Sequence, residues 1–174
     1  MAKRDGQGIK REKSEAMKQT EERNPAKSRI ENQIKELRHR LHTCPEISGQ
    51  ERKTKAALKQ FLEESTNLEL HDCGGGFYAV YRSSTADSAK KGVAFRADYD
   101  ALALPEGGAA HLCGHDGHAS ALCGAALLLE QQVKEGRDPG RNVYFLFQPA
   151  EETGAGAAPC CELFDKEEIE EIYG

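Results

Sequence analysis

Val143-Tyr144-Phe145-Leu146-Phe147 is an unbroken apolar run that passes straight into Gln148-Pro149-Ala150-Glu151-Glu152. Large apolar residues without polar alternation fit a strand covered on both faces, as in parallel sheets flanked by helices. Two adjacent carboxylates then follow the carboxyl end of that strand, the edge where open α/β sheets build their sites. One can bind a cation while the other moves a proton.

The rest of the pattern agrees with such a sheet. Ile30, Ile34, Leu37 and Leu41 recur at helical spacing and predict a helix beginning near Ser28. Cys44-Pro45-Glu46 ends it, because the residue before a proline is pushed out of the α region. Ser48 followed by Glu51 reads as a capping box and predicts a second helix over about 49–64, with Ala57, Leu58, Phe61 and Leu62 inward. Strands are expected over 68–71, 77–82, 93–97 and 143–147. Ala119, Leu122, Ala125, Ala126 and Leu129 carry a helix after His115 that breaks near 136–140. A small-residue stretch over 153–158 leads into a short helix, and a last strand begins at Ile169. Strands alternating with helices give an α/β domain with a mainly parallel sheet and flanking helices over residues 30–174.

Charge is unevenly spread. The formal net charge is −5, yet residues 1–29 hold nine Lys/Arg against five Asp/Glu. That segment lacks periodicity and reads as a disordered or frayed helical arm. The acidic remainder argues against broad nucleic-acid binding. No apolar run is long enough to cross a bilayer, and no secretory pattern opens the chain, so a cytoplasmic protein with no membrane partner is expected. The six cysteines form no Cys-x-x-Cys pair and read as free thiols. Cys160-Cys161 reads as helical filler rather than as a redox pair.

Chemistry gathers in three clusters: Asp98 and Asp100 after one strand, His111-Leu112-Cys113-Gly114-His115-Asp116-Gly117-His118 at the start of a helix, and Glu151-Glu152. Sulfur, imidazole and carboxylate are the donors a divalent transition metal takes. Gly114 permits a tight turn that lets Cys113 and His115 face one point. Asp116 can hold a neighbouring imidazole by its second nitrogen. His111 and His118 read as substrate contacts or polar rim. Cys113 as a nucleophile paired with His115 or His118 stays an alternative.

These clusters, with Leu41-His42-Thr43-Cys44-Pro45-Glu46-Ile47-Ser48 before them, resemble the metal-dependent amidohydrolase and exopeptidase family M20, in its aminoacylase-like branch. The likeness runs from about Ile30 to the end. It implies Cys113, His115 and Glu152 as metal ligands, Glu151 as general acid/base, and Asp98 and Asp100 in support of the catalytic centre. It implies two divalent ions, zinc or manganese, and a small N-acyl amino acid or peptide as substrate. Later histidine ligands and a lid domain of the family pattern fall beyond Gly174. The resemblance therefore implies an N-terminal, truncated form with an incomplete metal site, homodimeric only with the lid. A non-catalytic metal-binding or partner-binding remnant is the alternative.

Overall fold

The computed structural model describes residues 25–87 and 90–174. Most of the charged arm expected over 1–29 lies outside the described residues. Described structure begins with helix α1 (Pro25–His42), three residues ahead of the expected start, followed by α2 (Arg52–Ser65). Then come β1 (Glu69–Cys73), β2 (Gly76–Tyr81), β3 (Gly92–Asp98), and a two-stranded ribbon of β4 (Leu102–Ala103) and β5 (Ala109–Ala110). Helix α3 (His115–Lys134), β6 (Val143–Gln148), the short helices α4 (Ala157–Cys160) and α5 (Glu162–Lys166), and β7 (Ile169–Tyr173) complete the chain. No helix among the described residues is long and apolar enough to cross a membrane.

The main sheet has the order β1-β2-β6-β3-β7. β6 and β7 both run parallel to β3, while β2 pairs antiparallel with β1 and with β6. Four strands thus share one direction and only β2 reverses, giving the mainly parallel α/β architecture expected. The local strand signal could not show that β2 and β1 return as a hairpin on the β6 side.

Period-two alternation explains why β6 is apolar throughout. Val143, Phe145 and Phe147 join Leu37, Leu41, Leu58, Leu62, Ala119, Leu122 and Ala126 in the core beneath α1, α2 and α3. Tyr144 and Leu146 point the other way, into a smaller core with Tyr78, Val80, Cys160 and Leu163 beneath α4 and α5. At roughly 25 cal/mol per Å² of buried apolar surface, two covered faces make β6 the strand least tolerant of a polar substitution.

The expected capping box is not formed. Glu51 stands at the N-cap of α2 and gives it no side-chain cap bond. The capping acceptor is Glu46, whose Oε2 receives the Thr54 N–H at 2.7 Å and the Thr54 hydroxyl at 2.9 Å. A carboxylate near a helix N-terminus also meets the positive end of the helix dipole. Glu51 is thereby released for a tertiary contact described below.

Glu167 ties β7 to the sheet. It accepts from Tyr78 at 3.2 Å, Tyr144 at 2.8 Å and Arg82 at 2.8 Å. The Arg82 guanidinium is the main force holding the Glu167 carboxyl below its ordinary value, and it outweighs burial. A depressed folded-state pKa stabilises above the unfolded value near 4.5 and is lost as pH falls through the folded value. Glu167→Gln is therefore expected to cost about 1–2 kcal/mol at neutral pH, discounted for the part-exposed Arg82. Urea unfolding of both proteins at neutral and acid pH checks this: the gap should narrow below about 4.5, and a constant gap contradicts the ion-pair account.

Candidate metal centre

The carboxyl ends of β3 and β6 and the N-terminus of α3 meet at one edge of the sheet. Gly114, at the α3 N-cap, has φ 81° and ψ 19°. This left-handed turn sets Cys113 and His115 toward the same point. A Cβ at Gly114 would meet nothing within 4 Å, so Gly114→Ala would cost only backbone strain, about 1–2 kcal/mol. Thermal unfolding tests this, and a neutral result would mean the turn relaxes freely.

His115 is buried. Its Nδ1 donates to Asp100 Oδ1 at 3.0 Å, which fixes the ring and turns Nε2 outward. Nε2 then stands 3.8 Å from Glu152 Oε1, 3.8 Å from Glu151 Oε2 and 3.8 Å from Asp98 Oδ1. These gaps are too long for hydrogen bonds. Two ligands each about 2.1 Å from one cation stand roughly 3.4–4 Å apart, so the spacing suits shared coordination. Donor atoms of Cys113, His115 and Glu152 all lie within 4.8 Å of one another.

The two glutamates differ sharply in setting. The Glu152 side chain is 17% exposed and its Oε1 is buried without a hydrogen-bond partner. An orphaned carboxylate oxygen is costly unless something positive meets it. The Glu151 side chain is 42% exposed and opens to solvent. Asp100 is buried, and its Oδ2 accepts the Glu152 N–H at 3.0 Å. It therefore orients both His115 and Glu152.

Cys113 is exposed, and its thiol is pushed above its ordinary pKa first by the Glu152 carboxylate beside it, then by desolvation and the nearby charges of Glu151 and Asp100. Surrounding carboxylates disfavour a free thiolate, which weighs against the nucleophile alternative. They favour a divalent cation at the same point, and Cys113, His115 and Glu152 fit one in donor type and spacing.

Asp98, His115 and His118 form a second group whose donor atoms lie equally close. Two of its members already pair with each other or with a neighbour: His118 Nδ1 donates to Asp98 Oδ1 at 2.7 Å, and Arg96 pairs with Asp98 Oδ2 at 3.0 Å. His118 sits at the rim, its side chain 57% exposed.

Of the two alternatives for His111, substrate contact or polar rim, the rim one closes, because His111 is buried with both ring nitrogens unpartnered. Burial lowers its pKa, with Asp116 opposing. Asp116 holds no imidazole of its own motif; its Oδ2 receives His42 Nδ1 at 2.8 Å and Arg38 Nε at 3.0 Å, both from α1. Asp100 does for His115 what was expected of Asp116.

Residue-type patterns also missed Glu51. Its buried carboxylate accepts the Ala150 N–H at 2.9 Å and the Gly49 N–H at 2.6 Å. Ala150 is the only non-glycine with positive φ among the described residues, at 50°. Gly156 closes the same turn, because a Cβ there would stand 1.6 Å from Pro149 O. Glu51 and Gly156 thus hold the bend that presents Glu151 and Glu152.

A predominantly parallel sheet presenting thiol, imidazole and paired carboxylates at its strand ends defines the class: an α/β catalytic domain of the metallopeptidase type. Residues 94–174 match the model of peptidase family M20/M25/M40. Among its relatives, N-acetyl-L-cysteine deacetylase of Bacillus subtilis is 36% identical over 166 residues, a match covering 88% of this chain and 38% of that protein. An uncharacterized hydrolase of Staphylococcus aureus is 38% identical over 162 residues, covering 83% of this chain and 39% of the relative. The crystal structure of Bacillus subtilis YXEP protein, a dinuclear metal-binding peptidase of the M20 family, superposes with a TM-score of 0.72 at 32% identity, covering 83% of this chain and 42% of that one. The chain therefore spans about two fifths of the length of these relatives.

Proposed function

We propose that this chain supplies the water-activating part of a metal-dependent hydrolase that cleaves the amide bond of N-acyl amino acids or small peptides. The observation that carries the reading is the buried, unpartnered Glu152 Oε1 facing His115 Nε2 beside the Cys113 thiol. Cys113, His115 and Glu152 would hold the cation, zinc or manganese by donor type, with two ions per complete site as the dinuclear relative suggests. Bound there, a divalent cation would polarise the amide carbonyl and lower the pKa of water.

Glu151 takes the proton of the attacking water and returns it to the leaving nitrogen. Its partial exposure leaves it able to reach both partners, while Glu152 is held back by its backbone bond to Asp100. Asp100 contributes by orienting His115 and Glu152. The deacetylase relative supports an N-acyl amino acid as substrate class.

Titration of the purified chain with cobalt(II) tests the ligand set apart from turnover. A thiolate-to-metal charge-transfer band and proton release are expected. Cys113→Ala should abolish the band and weaken binding by about 100-fold, judged against the 10–100-fold effect of disturbing supporting groups alone. Undiminished cobalt affinity in Cys113→Ala would remove the thiol from the set.

A further inference from the structure

We propose that Cys73 and Cys160 form a reversible disulfide on exposure to peroxide, fastening the end of β1 to the helix that follows the glutamate turn. The two residues are 87 positions apart and meet face to face. Cys73 Sγ donates to Cys160 O at 3.4 Å, and Cys160 Sγ lies 3.8 Å from Cys73 O. Their backbones touch at the neighbouring position: a Cβ at Gly74 would stand 2.2 Å from Pro159 C and 2.5 Å from Cys160 N. Each thiol already reaches the other residue's main chain, which places the two sulfurs in one another's neighbourhood. Such close backbones suit the short Cα separation a disulfide requires.

Cys161 does not compete for this pairing. It is exposed, and its Sγ donates back along the helix to Ala157 O at 3.6 Å. Cys73 and Cys160 are each 2% exposed, in the small core with Tyr78, Leu146 and Leu163. Burial raises both thiols above their ordinary pKa, Cys160 to about 11. Their 2% exposure excludes bulky disulfide reagents by size and leaves a small oxidant such as hydrogen peroxide. The raised pKa keeps little thiolate at neutral pH, so oxidation is expected to be slow and to quicken as pH rises.

The step balances. One thiol gives up its proton and the thiolate attacks a peroxide oxygen; the S–O bond forms, the O–O bond breaks, and a sulfenic acid and hydroxide result, the hydroxide taking up the released proton to become water. The second thiolate then attacks the sulfenic sulfur; the S–S bond forms, the S–O bond breaks, and the departing hydroxide takes a proton to become water. Two thiols lose two hydrogens and two electrons, and the peroxide gains them.

Gly156 N donates to Ala150 O at 3.1 Å, so the turn bearing Glu151 is continuous with the helix that Cys160 ends. The test treats the full chain with hydrogen peroxide, alkylates remaining thiols and maps peptides without reduction. A linked pair containing Cys73 and Cys160 is expected, with a rise in Tm of about 10 °C that dithiothreitol reverses. Cys160→Ala should show neither. Recovery of Cys73 and Cys160 as separate peptides, or a link from Cys73 to Cys161, overturns the proposal. The mapping is done on the unaltered protein, so its result does not depend on a variant that folds.

Discussion

Glu151→Gln is expected to lower amide hydrolysis of an N-acyl amino acid by about 10²–10⁴-fold while leaving cation affinity within about twofold, because general acid–base catalysis contributes rate enhancements of that order. The substitution keeps size and hydrogen bonding but removes the ionisable oxygen proposed to take and return a proton. The two glutamates separate cleanly in the structure, since Glu152 is the shielded member with the unpartnered oxygen and Glu151 the open one. Glu152→Gln should therefore give the opposite pattern, a large loss of cation binding. Initial rates at saturating cation, set beside cobalt titrations of the same proteins, distinguish the roles. Natural turnover in Glu151→Gln would place the proton elsewhere.

Much of this arrangement was legible in the sequence because its signals are local. Five apolar residues of β6 announce a strand covered on both faces, and Pro149 announces its end. Cys113-Gly114-His115 announces a tight turn, and the positive φ at Gly114 is what that turn uses. The parts that were not legible depend on contacts between distant segments. Arg38 and His42 reach Asp116 across separations of 78 and 74 residues, and no spacing rule connects them. His111 belongs to a polar-looking motif, yet the fold buries it, with the His42 ring from α1 stacked at a centroid distance of 6.2 Å. Ser48 and Glu51 satisfied a helix-capping pattern that is correct on average. Here Glu46 fills that need better, because the parallel bridge between Ile47 and Ala101 carries the segment alongside the helix start.

Glu51→Ala is the substitution through which that tertiary override becomes measurable. Glu51 and Ala150 are 99 residues apart, and the carboxylate is the acceptor for two backbone N–H groups. Removing it leaves a buried donor at Ala150 unpaired, and a lost partner of this kind costs about 1–3 kcal/mol per group. The expected destabilisation is about 1–3 kcal/mol, nearly all of it from Ala150, because the exposed Gly49 N–H can turn to water, and more of it should fall on the glutamate turn than on α2, whose cap is Glu46. Ala150 sits at positive φ, a conformation that persists only when its surroundings enforce it. Loosening it displaces Glu151 and Glu152 together, so cation affinity should fall about 10–100-fold, the range seen when supporting groups of a metal site are removed. Glu51→Gln retains an oxygen acceptor and should recover most of both losses. Urea unfolding of the cation-free proteins and cobalt titration separate stability from affinity. If Glu51→Ala weakened stability but left affinity untouched, the turn would be held by Gly156 and its neighbours alone, and Glu51 would have no part in setting the metal centre.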